Sequence, residues 1–200
     1  LVITVSAQFS AMYDSARAAI ELVRAESPGL DVRLVDSRNA AMAQGFIVLE
    51  AARSAASGAP IDEVVARADE MIGRVTLLAI LDTLSFLARS GRVPRVAAWA
   101  AGMLQVKPIV RFGAGEIKLA ARTRTRPRAL GRMAAIFAER TTGRPVHVAV
   151  HHANAEADAE ARASSIRTAS NVVEAYVTEF TQVMGVHTGP GLVGLAWWTE

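Results

Sequence analysis

The chain has 200 residues, of which 52% are hydrophobic and 20% charged, a balance that excludes intrinsic disorder and leaves enough apolar mass for one large domain or two small ones. Basic residues number 22 against 19 acidic, a net charge of +3, and only Lys107 and Lys118 are lysines, so the sequence pI of 9.9 reflects arginine's high pKa and is weak evidence for a nucleic-acid partner. Cysteine is absent, which excludes disulfides, thiolate metal sites and cysteine nucleophiles. Apolar stretches are interrupted by Asp82, Arg89 or Arg95 before they reach the roughly 18 residues of a membrane span. Leu1 to Ala7 carry neither a basic n-region nor a cleavage site, so no signal peptide is read there. These features are those of a soluble cytoplasmic protein without stable membrane insertion.

Leu1-Val-Ile-Thr-Val5 is a β-branched apolar run, the pattern of a buried strand. Ser10 precedes an apolar stripe at Met12, Tyr13, Ala16, Ile20 and Val23, and its hydroxyl suits the N-cap of a helix. Val32–Val35 reads as a second strand, 40–56 as a helix stopped by Gly58 and Pro60, and a further helix starts with Asp62 as its cap. Strand, helix, strand, helix is the rhythm of a parallel sheet. After Gly73 the rhythm changes. Val75–Leu81 reads as a strand, Leu84–Ala88 as a short helix and Arg95–Leu104 as another. Val106–Phe112 and Glu116–Thr123 flank Gly113-Ala114-Gly115 as a hairpin, and a helix follows Pro127. The strand Pro145–Val150, a helix over 155–169, and the strands Val172–Phe180 and Leu192–Trp198 complete the chain. The class is α/β: residues 1–73 are the remainder of a parallel-sheet domain, and 74–200 form an α+β layer domain. A strand at the first residue reads as the continuation of a sheet, as in a chain lacking an N-terminal part.

Four groups of residues carry potential chemistry. His187-Thr188-Gly189-Pro190-Gly191 lies between two strands, with glycines that admit close approach and a histidine that titrates near neutrality; a tight β-connection is the plainer account. Ser6 and Ser10 stand at a strand end and a helix start, where free amides favour an anion, although helix capping alone explains Ser10. Arg122, Arg124, Arg126, Arg128 and Arg132 form a basic run. If the strand continues through Arg126, three guanidinium groups share a face, as a phosphate or acidic-partner patch or as a solvated edge. His147 and His151 share a strand face about 13 Å apart, too far for one metal ion. No GxGxxG or Walker loop is present, which argues against a self-sufficient nucleotide site, and without an evident nucleophile–base pair a stand-alone small-molecule enzyme ranks last among the readings.

Taken in order, several segments resemble the DegV family, which includes the fatty-acid-binding subunits of bacterial fatty acid kinase. Ser6-Ala-Gln-Phe-Ser-Ala-Met-Tyr-Asp-Ser-Ala16 is similar to the family's S-S-x-L-S-G-T-Y-x-S-A, and Val35-Asp-Ser37 with Gln44-Gly45 to its D-S-x-x-x-S-x-G-x-G. Asp82-Thr-Leu84 with Arg89-Ser-Gly-Arg-Val93 resembles D-x-L-x-x-L-x-x-G-G-R-[IV], and Leu104-Gln-Val-Lys-Pro-Ile109 resembles L-L-x-[IV]-K-P-I. Arg124 matches the arginine of V-R-x-x-K-K-A, and His187-Thr-Gly-Pro-Gly191 the terminal H-x-G-P-G.

The resemblance implies a two-domain lipid-binding protein that is not itself an enzyme. A long-chain fatty acid would lie with its carboxyl at the domain cleft and its tail buried, and be presented to a separate ATP-dependent kinase subunit. Ser6, Ser10, His187, Thr188 and Gly189 would hold the head, and Arg92 and Arg124 would serve the cleft or the docking of the kinase. Leu84, Leu87, Met103 and Leu104 are candidate tail liners, and no cofactor or metal is implied. Ala7 stands where the family has a second serine, Ala11-Met12 replaces Gly-Thr, and the family's N-terminal T-S-Q-P-S segment has no counterpart. The alternative is a partner- or nucleic-acid-binding module built on Arg122–Arg132, although nucleic acid is not the partner the resemblance implies.

Overall fold

A computed structural model describes residues 1–91 and 106–200, which form two compact units. The first comprises Leu1–Val75 with Gly113–Glu116, and the second Thr76–Phe112 with Ile117–Glu200. The helix expected over Arg95–Leu104, and with it Arg92, Met103 and Leu104, lies outside the described residues.

In the first unit β1 (Val2–Thr4) pairs in parallel with β2 (Leu34–Asp36), with Ile3 opposite Val35. The crossover between them is α1 (Met12–Glu26), which buries Ile20. Then come α2 (Ala41–Ala56) and α3 (Ile61–Arg74), packed on each other. Ala43, Phe46, Ile47 and Ala51 of α2 are buried, as are Val64, Ala68 and Met71 of α3, at the three- and four-residue spacings of a helical stripe. Asp62 is not the cap of α3. Pro60 occupies that position at φ −64, leaving Asp62 and Glu63 in the first turn, where Asp62 pairs with Arg33 at 2.7 Å.

The second unit is built on a six-stranded mixed sheet in the order β5-β4-β3-β8-β6-β7. Its strands are β3 (Thr76–Ile80), β4 (Lys107–Gly113), β5 (Glu116–Thr123), β6 (Val146–His152), β7 (Val172–Glu179) and β8 (Val193–Thr199). β3 runs antiparallel to β4 and β8, and β8 antiparallel to β6; β6 and β7 are parallel. The short helix α4 (Ser85–Arg89) follows β3, α5 (Arg126–Thr141) follows β5, α6 (Glu156–Ala169) links β6 to β7, and α7 (Gln182–Thr188) precedes β8. One face of the sheet presents Leu78, Ile80, Val148, Val150 and Leu195 to Met133, Phe137, Ala159 and Ile166 of α5 and α6, and Phe137 meets Trp197 edge-on at 5.4 Å. All positions of β3 and β6 are buried, which explains the near-continuous apolar run of β3 and places His147, His151 and His152 of β6 inside the protein.

Besides the Asp62 cap, three sequence readings are corrected. Gly185–Gly191 is not a simple β-connection, because α7 extends through His187 and Thr188 before the chain turns. The strand carrying the arginine run ends at Thr123, and Arg126 opens α5, so Arg122, Arg124 and Arg126 do not share one strand face. Ser10 precedes the cap residue Ala11 of α1, and its hydroxyl accepts from the amide of Met12 at 3.2 Å.

Candidate functional site

The first unit places its candidate groups in the loops that leave the carboxyl ends of β1 and β2. Parallel strands stop together there, and the following turns leave polar groups around a common point. Ser6 is 0% exposed; its amide donates to the carbonyl of Asn39 at 2.9 Å, and its carbonyl accepts from Phe9 and Ser10. Its Oγ accepts from the Gln8 amide at 3.3 Å, leaving the hydroxyl proton without an acceptor among the described residues. Asp36 Oδ1 accepts from the amides of Ala7 and Arg38, at 3.2 and 2.9 Å, and so ties the two loops.

Asn39 is a member of this cluster that sequence reasoning missed. Its backbone amide and Nδ2 donate to Ser37 Oγ and Ser37 O, but its buried Oδ1 has no partner among the described residues. The signal was the Asx chemistry of Asp36-Ser37-Arg38-Asn39, which puts Arg38 at φ 51. Gly115, at the tip between β4 and β5, donates to Arg38 O at 2.9 Å and has φ 74. A Cβ there would come within 3.0 Å of Gln8 Cγ and 3.5 Å of Ser6 Oγ, so glycine is what lets the tip reach the Ser6 loop.

The second unit organises the His187–Gly191 segment. Thr181 caps α7 by accepting from the Met184 amide, and half-buried His187 sits in its last turn. Thr188 is 3% exposed and donates its hydroxyl proton to Met184 O at 3.0 Å, so that proton is already committed. Gly189 ends the helix at φ 79 against the ring of Phe86, with which any Cβ would collide. Gly191, at φ 81, lies against the Asp82 carboxylate, 2.6 Å from where a Cβ would stand.

Arg126 binds this turn. Its Nη1 donates to Gly191 O at 2.7 Å and to Asp82 Oδ1 at 3.1 Å, and its Nε to Asp158 Oδ2 at 2.6 Å. Lys107 reaches the same Asp82 oxygen at 3.0 Å. Two cations therefore face two carboxylates in a neutral network centred on Arg126, which the sequence reading left open between a basic patch and a solvated strand edge. Only the fold reveals this role, because Asp82, Arg126, Asp158 and Gly191 are far apart in the chain.

The other candidates are more scattered. Arg124 is exposed just beyond β5 with no ion pair among the described residues. Leu84 and Leu87 are each 4% exposed in the second unit. The histidines have structural partners: His147 Nδ1 meets Glu174 at 2.7 Å and its ring stacks on Trp198, while His151 Nδ1 meets Thr178 at 2.8 Å. Burial, followed by the neighbouring His152, pushes the His151 pKa down to about 3, so that ring stays neutral. Among the described residues no group of His, Asp or Glu is arranged to hold a metal ion, and no helix is long and apolar enough to cross a membrane.

Comparison with known proteins places this architecture. The family model described as "Uncharacterised protein, DegV family" matches residues 1–200. A DegV domain-containing protein of Streptomyces coelicolor is 36% identical over 191 residues, covering 95% of this chain and 66% of the relative. Protein DegV of Bacillus subtilis is 33% identical over 197 residues, 98% of this chain and 68% of its own length. The chain thus spans about two thirds of these relatives. Among solved structures, Bacillus subtilis DegV, described as a fatty acid binding protein, superposes with a TM-score of 0.85 at 31% identity, covering 100% of this chain and 71% of that one. A Thermus thermophilus DegV family protein, described for its fatty acid binding, gives 0.88 at 26% identity, over 98% and 69% of the two chains. Matched by the family model over residues 1–200 and by these relatives over nearly all of its length, the chain belongs to the DegV family.

Proposed function

We propose that this chain binds a long-chain fatty acid, holding the carboxylate through Ser6, Ser10 and the His187–Thr188–Gly189 segment, and presents it to a separate ATP-dependent kinase subunit. The observation that carries the binding reading is the likeness of the whole chain to 71% of the Bacillus subtilis fatty acid binding protein, at 31% identity. The chemistry of the residues supports it. A carboxylate needs two or three donors, and the buried Ser6 hydroxyl has a proton to give. His187 adds an imidazole N–H, and a tail removed from water contributes about 0.8 kcal/mol per methylene. Because the Thr188 hydroxyl is committed to Met184, Thr188 and Gly189 act by shaping the backbone around His187. Arg92 and Arg124 are assigned to ligand placement or to docking of the kinase, the exposed Arg124 being suited to the second role. The site works at cytoplasmic pH without a cofactor. A basic patch for nucleic acid is the weaker reading, since Arg126 is consumed by Asp82 and Asp158.

The test is organic extraction of the natively folded protein, mass spectrometry of the extract, and titration of the stripped protein with hexadecanoate. Stoichiometric lipid, with retention reduced at least several-fold by His187→Ala, is the expected result. Equal retention by the two proteins removes His187 from the head site, and failure of the stripped wild type to take up any fatty acid overturns the binding reading.

A further inference from the structure

A concave surface in the second unit plays no part in the fatty-acid reading. β6 and β7 are parallel and bridged by α6, a unit that leaves a crevice at the carboxyl ends of its strands. His152, Asn154, Glu156, Glu160, Val177 and Glu179 line a hollow there of about 310 Å³. Glu156 and Glu160 stand one turn apart on α6, and Glu179 faces His152 across the strand register.

None of the three glutamates has an ion pair or a side-chain hydrogen bond among the described residues. His152, only 7% exposed, has an Nδ1 with no hydrogen-bond partner among them. The dipole of α6 accounts for Glu156 in its first turn but not for Glu160 or Glu179. Crowded like charges repel, so a cation in the hollow would be stabilised by all three carboxylates.

The groups do not converge on a metal geometry, which spreads the negative charge around a rim. A guanidinium matches a rim: it is planar, delocalised and carries five N–H donors, and an unprotonated imidazole nitrogen can accept one of them. Val177 offers an apolar wall to an arginine's alkyl stem. The adjoining hollow, which shares Asn154 and Glu156 and extends to Gly191, already holds the chain's own Arg126 between Asp82 and Asp158. We propose that the hollow at His152, Glu156, Glu160 and Glu179 takes an arginine side chain of a partner protein, beside the Gly191 end of the His187 segment.

The probe is the neutral-ended peptide acetyl-Gly-Arg-Ala-Arg-Gly-amide, titrated into isotopically labelled protein at low salt and followed by NMR. Amide shifts should concentrate at His152, Glu156, Glu160 and Glu179. The double variant Glu160→Gln/Glu179→Gln should weaken binding about fivefold or more while leaving the unfolding midpoint equal or higher, because it relieves repulsion. A tenfold rise in salt should weaken the wild type too. Shifts elsewhere, unchanged affinity in the double variant, or displacement of the peptide by an equal concentration of magnesium would each overturn the proposal.

Discussion

Gly189 shows how a single position is constrained twice, by its left-handed φ of 79 and by the Phe86 ring where a side chain would begin. Gly189→Ala should cost about 2 kcal/mol or more, read as a lowered midpoint in urea, since neither the backbone nor the ring can yield cheaply. Ser6→Ala should act differently. It removes a buried donor without creating strain, so fatty acid retention should fall several-fold while stability changes by about 1 kcal/mol or less. His151 supplies a pH dependence whose sign is set by its depressed pKa. The folded ring stays neutral down to about 3, whereas the unfolded chain protonates it near 6.5. Its contribution is therefore complete above about 6.5 and is lost as pH falls toward 3. His151→Gln should flatten the stability–pH curve in that window, as measured by urea unfolding at several pH values.

At the scale of elements, α2 and α3 are joined by an ion network as well as by an apolar seam. Burial pushes the Glu50 carboxyl up, but the Arg67 and Arg53 guanidinium groups outweigh it and hold the carboxyl below its ordinary range. Arg67 also holds Glu70, so one guanidinium spans both helices. Arg67→Met should destabilise the first unit by about 1–3 kcal/mol, because Glu50 is left nearly buried with only Arg53 beside it. The depressed Glu50 pKa sets the direction of the pH effect. The stabilisation is present above the ordinary carboxylate pKa and lost as pH falls through the lowered one. The wild type should thus converge on Arg67→Met in acid, which urea titrations at neutral and acidic pH would reveal; a gap independent of pH would refute the network.

For the molecule as a whole, ligand binding and stability are linked. A ligand that binds only the folded state at a hundred times its Kd adds about 2.7 kcal/mol, so saturating hexadecanoate should raise the midpoint of the stripped protein by several degrees. The His187→Ala protein should gain less. Identical shifts in both proteins would mean that the acyl tail alone supplies the binding and that the head-group assignment is wrong.

Strand and helix positions were largely legible because local signals encode them: the apolar run of β3, the stripe of α1, Gly113 and Gly115 at the hairpin and the Gly58–Pro60 stop after α2 each mark their own element. The ordered segments from Ser6 to Gly191 carried the DegV resemblance because each is a short stretch of characteristic residue types, recognisable in the sequence by itself. Short elements were less legible. α7 is seven residues long and carries one glycine and two valines, so its helical nature depends on the Thr181 cap and on packing near α4 rather than on propensity. Arg126 could not be placed from sequence, because alternation along a strand extrapolates past the point where Pro127 starts a helix. Its partners Asp82, Asp158 and Gly191 come from three separate segments. The unpaired carboxylates around His152 were equally hidden. Pairing between distant residues is fixed by the sheet order and not by spacing along the chain, and that order exists only once β3, β8 and β6 have come together.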